Sequence, residues 1–333
     1  MPLLRNALRT LTCLLAIAAL PIGVGPARAG IEEDRRALAE LQTGDLRLQA
    51  VGWRLAQANA PFCADAHPAI GLLLQDMANY GDPDAMRAAA GIAGDVAVEA
   101  VVPGSPADAA GLATNDEILS IGTRRMADLP AAPPGDWQRL TGLHDLMDQV
   151  LAQDGSVHIE WRRASDGTVH SALIAGIPVC PSRFELLAKG GTAEADGRRV
   201  LIGRKFSGVG YSEPLFAAAV AHELAHNLFA HRAWLGHVGR KQKNIRLTER
   251  EADRLMPWLL ANAGYDPQSA VDFFKKWGPR NDGWIFRART HDGWDERAEF
   301  VAAELPKIEQ LMASEGKADW PTHFKRTVPV GNR

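Results

Sequence analysis

VAHELAHNLFAHR occupies residues 220–232. Three of the chain's 10 histidines fall in this stretch, and Glu223 sits between the first two. His222 and His226 are four residues apart, which on an α-helix leaves them about 40° apart around the axis, so both rings project from one face. Two imidazoles so placed can bind one Zn²⁺ at about 2.0–2.1 Å, while an acid on the flank reaches a water beside the metal without ligating it. The surrounding run FAAAVAHELAHNLFA (216–230) is apolar nearly all round. That argues against a surface helix with incidental histidines, because a buried helix keeps polar groups only where they are satisfied. Pro214 opens the helix, in the first turn where its missing N–H costs nothing.

A catalytic zinc takes three protein ligands and leaves a fourth position open. LTEREADRL (247–255) offers the third ligand on a second helix, predicted from Thr248 as N-cap to about Ala263. Glu249 is the candidate ligand. Asp253, one turn on, can accept the other N–H of a ligand histidine and fix its tautomer. Glu251 is the rival ligand, turned about 160° from Asp253. His231 is five residues past His226, which rotates it off the metal face; it is expected at the helix end, where a cation is favoured. His67, His144, His158, His170, His237 and His323 have no partner pattern and receive no role.

The start of the chain reads as an export signal. Arg5 and Arg9 precede an apolar run, LTCLLAIAAL (11–20), and Ala27-Arg28-Ala29 fits a cleavage site before Gly30. The apolar run is short for a membrane anchor, and no later stretch is long enough to span, so the mature chain is expected in the periplasm or otherwise exported. Removing residues 1–29 with their three arginines shifts the formal charge from −3 to −6. That gives no reason to expect nucleic acid as a partner. Two cysteines then remain, Cys63 and Cys180. In an oxidising compartment they predict one disulfide, with two buried free thiols as the alternative. About 300 residues leave room for two domains, and 46% hydrophobic content is that of a globular protein.

Residues 31–59 read as helical, with Leu38, Leu41, Leu48, Val51 and Leu55 near one stripe and Gly44 and Asp45 as a potential interruption. PFCADAHPAIG (61–71) reads as a loop, and residues 72–91 carry a short helical signal. From residue 95 the pattern changes to strand alternation, then VVPGSPADAAGL (101–112) and NDEILSIG (115–122). This stretch resembles a PDZ domain, with Asn115 where a glycine is usual. LTGLHDLMDQVLAQ (140–153) would be its second helix, and VHIEWRR and TVHSALIA its closing strands. The nearest candidate for a carboxylate-binding loop is GIAG (91–94). The resemblance implies a PDZ-like unit over residues 76–178 that binds protein or peptide C-termini by strand addition.

HELAHN followed by EREAD resembles the gluzincin metallopeptidases of the HtpX, Oma and CAAX-prenyl-protease (Ste-type) family. The resemblance implies zinc on His222, His226 and Glu249, Glu223 as general base, and Asp253 supporting a ligand histidine. RTHDGWDER (289–297) resembles the family's downstream element, with Asp292 in place of its proline. That implies a catalytic part for His291, as oxyanion stabiliser or as a fourth ligand holding the enzyme latent, with Arg297 orienting it. EADGRRVLI (194–202) resembles the family's strand along the active-site cleft. After Pro214 the chain reads as helices, tryptophan-rich loops (277–286 and 291–297) and a last helical stretch, 297–312, interrupted at Pro306. The expected fold is therefore α+β: a mainly helical zincin-like domain over residues 30–75 and 181–333, with the PDZ-like domain inserted and Cys63–Cys180 stapling its ends. The expected function is zinc-dependent endoproteolysis of protein substrates. The alternative is a PDZ-type binding or chaperone-like protein with a residual zinc site.

Overall fold

The computed structural model describes residues 26–281 and 292–328. The segment read as an export signal lies outside these residues except for its last four, which open helix α1 (Pro26–Asn59). α1 runs unbroken through Gly44 and Asp45, where an interruption was expected. Both residues serve docking. A Cβ on Gly44 would lie 2.5 Å from Leu186 Cδ2, and buried Asp45 accepts the Leu186 N–H at 2.8 Å.

Between α1 and residue 180 the chain builds a β-rich unit. Its elements are β1 (His67–Ala69), β2 (Leu72–Asp76), α2 (Pro83–Ala90), β3 (Val96–Val101), α3 (Pro106–Ala109), β4 (Glu117–Ile121), β5 (Arg124–Arg125), α4 (Gln138–Asp154), β6 (Ser156–Arg162), β7 (Val169–Ala175) and β8 (Ile177–Val179). The main sheet has the order β2-β3-β4-β6-β7, with β5 on β4. Leu72–Asp76, expected within a helical segment, is a strand buried at every position; three leucines supply its apolar part, and buried Gln75 and Asp76 are satisfied by Val98, Asn115 and Arg139. The helix of that segment is α2, capped by Asp82 and ended by Gly91 in the left-handed conformation. The sheet thus begins at Leu72, four residues before the boundary expected at 76. Val96, Val98, Ile118, Ile121 and Trp161 form the core of this unit with Met147 and Leu151 of α4. Asn115 has φ 67°, the region that favours glycine, and its carboxamide oxygen accepts hydrogen bonds from Gln42 and Gln75.

The two ends of this unit are tied together. β1 pairs with β8 antiparallel, and beside that ribbon Cys63 and Cys180 form a disulfide with Cα atoms 5.5 Å apart.

A three-stranded sheet follows: β9 (Arg183–Leu187), β10 (Ala193–Ala195) and β11 (Arg199–Gly203), in the order β10-β11-β9. EADGRRVLI, expected as one strand, is a hairpin turned at Gly197 (φ 98°), so the free edge is β10. Among the described residues seven α-helices follow: α5 (Glu213–Leu228), α6 (His231–Val238), α7 (Gln242–Asn262), α8 (Gln268–Asn281), α9 (Trp294–Ala302), α10 (Leu305–Glu315) and α11 (Trp320–His323). α7 starts six residues before Thr248. Thr248 is no cap; it is buried within the helix and its hydroxyl donates to the Ile245 carbonyl. α8 continues through Pro279, so part of the first tryptophan-rich segment is helical rather than loop. The last helical stretch divides at Ala303 and Glu304, with Pro306 in the first turn of α10. α5 is the centre of the larger core, covered by α1, α7 and α8. Among the described residues no helix is long and apolar enough to cross a membrane.

Candidate metal centre

α5 carries the HELAH stretch in its second half. Its alanines and leucines favour helix, and the small alanine side chains let α7 pack close against it. His222, His226 and Glu249 converge at one point. His222 Nε2 and His226 Nε2 are 3.2 Å apart. Glu249 Oε2 is 3.4 Å from the first and Oε1 3.6 Å from the second. Ligands on a tetrahedral zinc with bonds of about 2.0–2.1 Å lie about 3.3–3.4 Å apart, so this triangle suits such an ion.

The rear nitrogens show why a cation fits. His222 Nδ1 is 2.9 Å from Asp253 Oδ1, though off the ideal hydrogen-bond line. Asp253 is held in turn by a two-pronged contact with Arg297, 2.7 Å on each side. A proton on Nδ1 leaves a lone pair on Nε2. Burial disfavours a charge on His222, yet Asp253 and Glu249 outweigh it and hold its pKa up to about 10. Burial also disfavours the Asp253 carboxylate, but Arg297 and His222 keep it ionised below its usual range.

His226 is fixed by a residue the sequence reading set aside. His231 Nδ1 lies 3.0 Å from His226 Nδ1, and His231 Nε2 lies 3.0 Å from Glu251 Oε2. Glu251 also accepts from Arg326 and from the backbone N–H groups of Thr327 and Val328. Against the opposing effect of burial, His231 and Arg326 hold its pKa down to about 2. His231 is buried, which keeps its pKa down at about 4 and its ring neutral. Its proton therefore faces Glu251, its Nδ1 accepts from His226, and His226 Nε2 is left with a lone pair. The expectation of a helix-end cation fails because α5 does not continue. It stops at Leu228, Ala230 takes a left-handed φ of 52°, and α6 starts at His231, swinging that ring back onto His226. Glu251, the rival ligand, is committed to this buried cluster.

The two Nε2 atoms and the Glu249 carboxylate thus face one another at ligand spacing. Without a metal the raised pKa of His222 places a proton in that triangle, and a bound cation would displace it. Glu223 borders the same cleft; burial raises its pKa, with His222 and His226 pulling the other way. The cleft is about 450 Å³ and is edged by β10. His291 lies outside the described residues. Arg297 sits behind His222 on Asp253, and Asp292 is gripped by Arg250 and Arg246 of α7.

Residues 97–163 match the family model of the PDZ domain. Searches of curated proteins and of solved structures find no match. A PDZ domain binds peptides or C-termini, through strand addition between an edge strand and a helix. Here the edge strand is β2 and the helix α4. The space between them is about 60 Å³, and Gln49 and Trp53 of α1 and Phe184 of β9 are among the residues that line it. Buried His144 of α4 hydrogen-bonds the backbone of Leu74 in β2. GIAG (91–94) is not at this groove; Gly94 donates to Glu117 on β4.

Proposed function

We propose that the chain is an exported zinc endopeptidase with a zincin-like helical domain of the HtpX, Oma and Ste type and an inserted PDZ-like unit. The observation that carries this reading is the convergence of His222 Nε2, His226 Nε2 and Glu249 beside Glu223. A closed structural site has no use for an acid next to its first ligand, whereas hydrolysis does. His222, His226 and Glu249 hold the zinc. When bound, zinc lowers the pKa of water toward neutrality and polarises a carbonyl oxygen. Glu223 takes the proton from the attacking water and passes it to the leaving amine; its raised pKa suits both roles. Asp253 and His231 hold the two imidazoles in register, and β10 offers its free edge to an extended substrate. The disulfide supports an exported setting.

A second reading follows from the PDZ match: a protein-binding module with an idle zinc site. One comparison separates the two. Purified protein is assayed for zinc content and casein cleavage, wild type beside Glu223→Gln. The peptidase reading expects about one zinc per chain in both and cleavage only by wild type. Zinc-free protein, or equal cleavage by both, overturns it.

A further inference from the structure

The cleft has two unlike ends. β10 packs beside α5, with Gly197 just past its end held at Asn227 near the end of that helix. At the start of β10, Thr192 pairs with Gly203, and Phe206, Phe273 and Trp277 line the cleft together with Ala219, one turn before His222. Phe273 and Trp277 stack with ring centroids 5.9 Å apart. At the far end, Gly197 donates to Asn227 Oδ1, and a Cβ there would lie 3.8 Å from Arg232 Cδ. Arg232 and Arg240, both exposed, line this end of the cleft, and neither has an ion-pair partner among the described residues. The metal ligands lie between the two ends. Ala219 and His226 are seven residues apart, about 10 Å along the helix, or about three residues of an extended peptide.

A substrate strand laid along β10 therefore meets an aromatic wall on one side of the scissile bond and two free guanidinium groups on the other. Large apolar side chains gain by burial against the wall. Carboxylates gain a charge-assisted contact with the arginines, and lysine or arginine side chains are repelled there. We propose that the cleft selects protein segments with an aromatic or large aliphatic residue on one side of the cut and an acidic residue within about three positions on the other, a specificity that rests on the peptidase function proposed above. Arg232 and Arg240 set the acidic half, and Phe273 with Trp277 the apolar half.

The test is cleavage-site profiling on an unbiased peptide mixture, with Glu223→Gln as the background. Two matched peptides, one with aspartate and one with lysine on the arginine side, are then compared on wild type and on Arg232→Gln/Arg240→Gln. Expected are sites with an aromatic and an acid on opposite sides, and an aspartate-over-lysine ratio in kcat/KM that drops about ten-fold in the variant and shrinks in wild type at high salt. Glu223-dependent cleavage with no acidic preference, or an unchanged ratio in the variant, overturns the specificity and leaves the peptidase reading standing. No Glu223-dependent cleavage of any peptide overturns both.

Discussion

Asp45→Asn should make the protein more stable at pH 8 and flatten the dependence of its stability on pH. Asp45 on α1 is buried and faces buried Glu99 on β3, with Glu185 of β9 and Tyr80 close by. One Glu99 carboxyl oxygen has no hydrogen-bond donor. Two facing carboxyls in such a place are satisfied by sharing a proton. Burial pushes the Asp45 pKa up from 3.8 to about 7, and burial together with Asp45 pushes Glu99 well above its usual value. A raised carboxyl pKa means that the folded state binds the proton more tightly than the unfolded chain. Stability from the Asp45 proton is therefore full below pH 3.8 and is lost as pH rises through about 7, and Glu99, raised well above its usual value, adds to the loss in the same direction. The rise from 3.8 to about 7 sets a ceiling of about 4 kcal/mol, and entry of water beside the ionised carboxylates brings the expected loss to about 2 kcal/mol. Asparagine keeps the oxygen that accepts the Leu186 N–H and replaces the shared proton with a fixed donor toward Glu99. Urea unfolding from pH 5 to 8 is the assay. Wild type should lose about 2 kcal/mol over that range and the variant clearly less, so the curves cross or converge. Parallel curves, or a variant less stable at pH 8, would refute the shared proton.

Two further outcomes follow from named contacts. His231→Ala removes the acceptor behind His226 and should weaken zinc binding about 10–100-fold by chelator competition, with Glu251→Gln in the same direction; unchanged affinity would show that the ring is mere filling. Cys63→Ala/Cys180→Ala opens a loop of sequence separation 117 and should cost about 2–4 kcal/mol in urea, whereas an unchanged midpoint would mean that β1–β8 pairing alone holds the ends.

The sequence made the metal triangle legible because its information is local. A spacing of four within HELAH and another within the EREAD stretch place side chains on helix faces whatever surrounds them. It also marked the PDZ-like core, whose turn chemistry at Pro103, Gly104 and Asn115 is written in residue type. What stayed hidden depends on distant partners. His231 needed the left-handed turn at Ala230, and alanine gives no sign of a positive φ. Gly44 and Asp45 looked like helix breakers; their use appears only when Leu186, far along the chain, arrives beside them. Glu249 and Glu251 carry the same acid group two residues apart, and only the packing of α7 assigns one to the triangle and the other to Arg326 and the backbone of Thr327 and Val328.

The insert occupies a place where it bears on the cleft. Asp45 holds the Leu186 N–H, Leu186 sits opposite Ile202 across the parallel β9–β11 pair, and Ile202 sits opposite Ala193 on β10. One line of pairing thus leads from the buried acid contact between α1 and β3 to the strand that edges the cleft. β2 and α4 face the same support, since Trp53 of α1 and Phe184 of β9 line the small space between them, where a PDZ groove would receive a peptide. A Cβ on Gly52 would meet the Phe184 ring at 2.3 Å, so the approach of α1 to β9 needs glycine there. The PDZ-like unit is therefore packed as a brace for β9–β11. The loss of stability as Asp45 and Glu99 ionise falls at that brace, beside β9 in the same three-stranded sheet as β10.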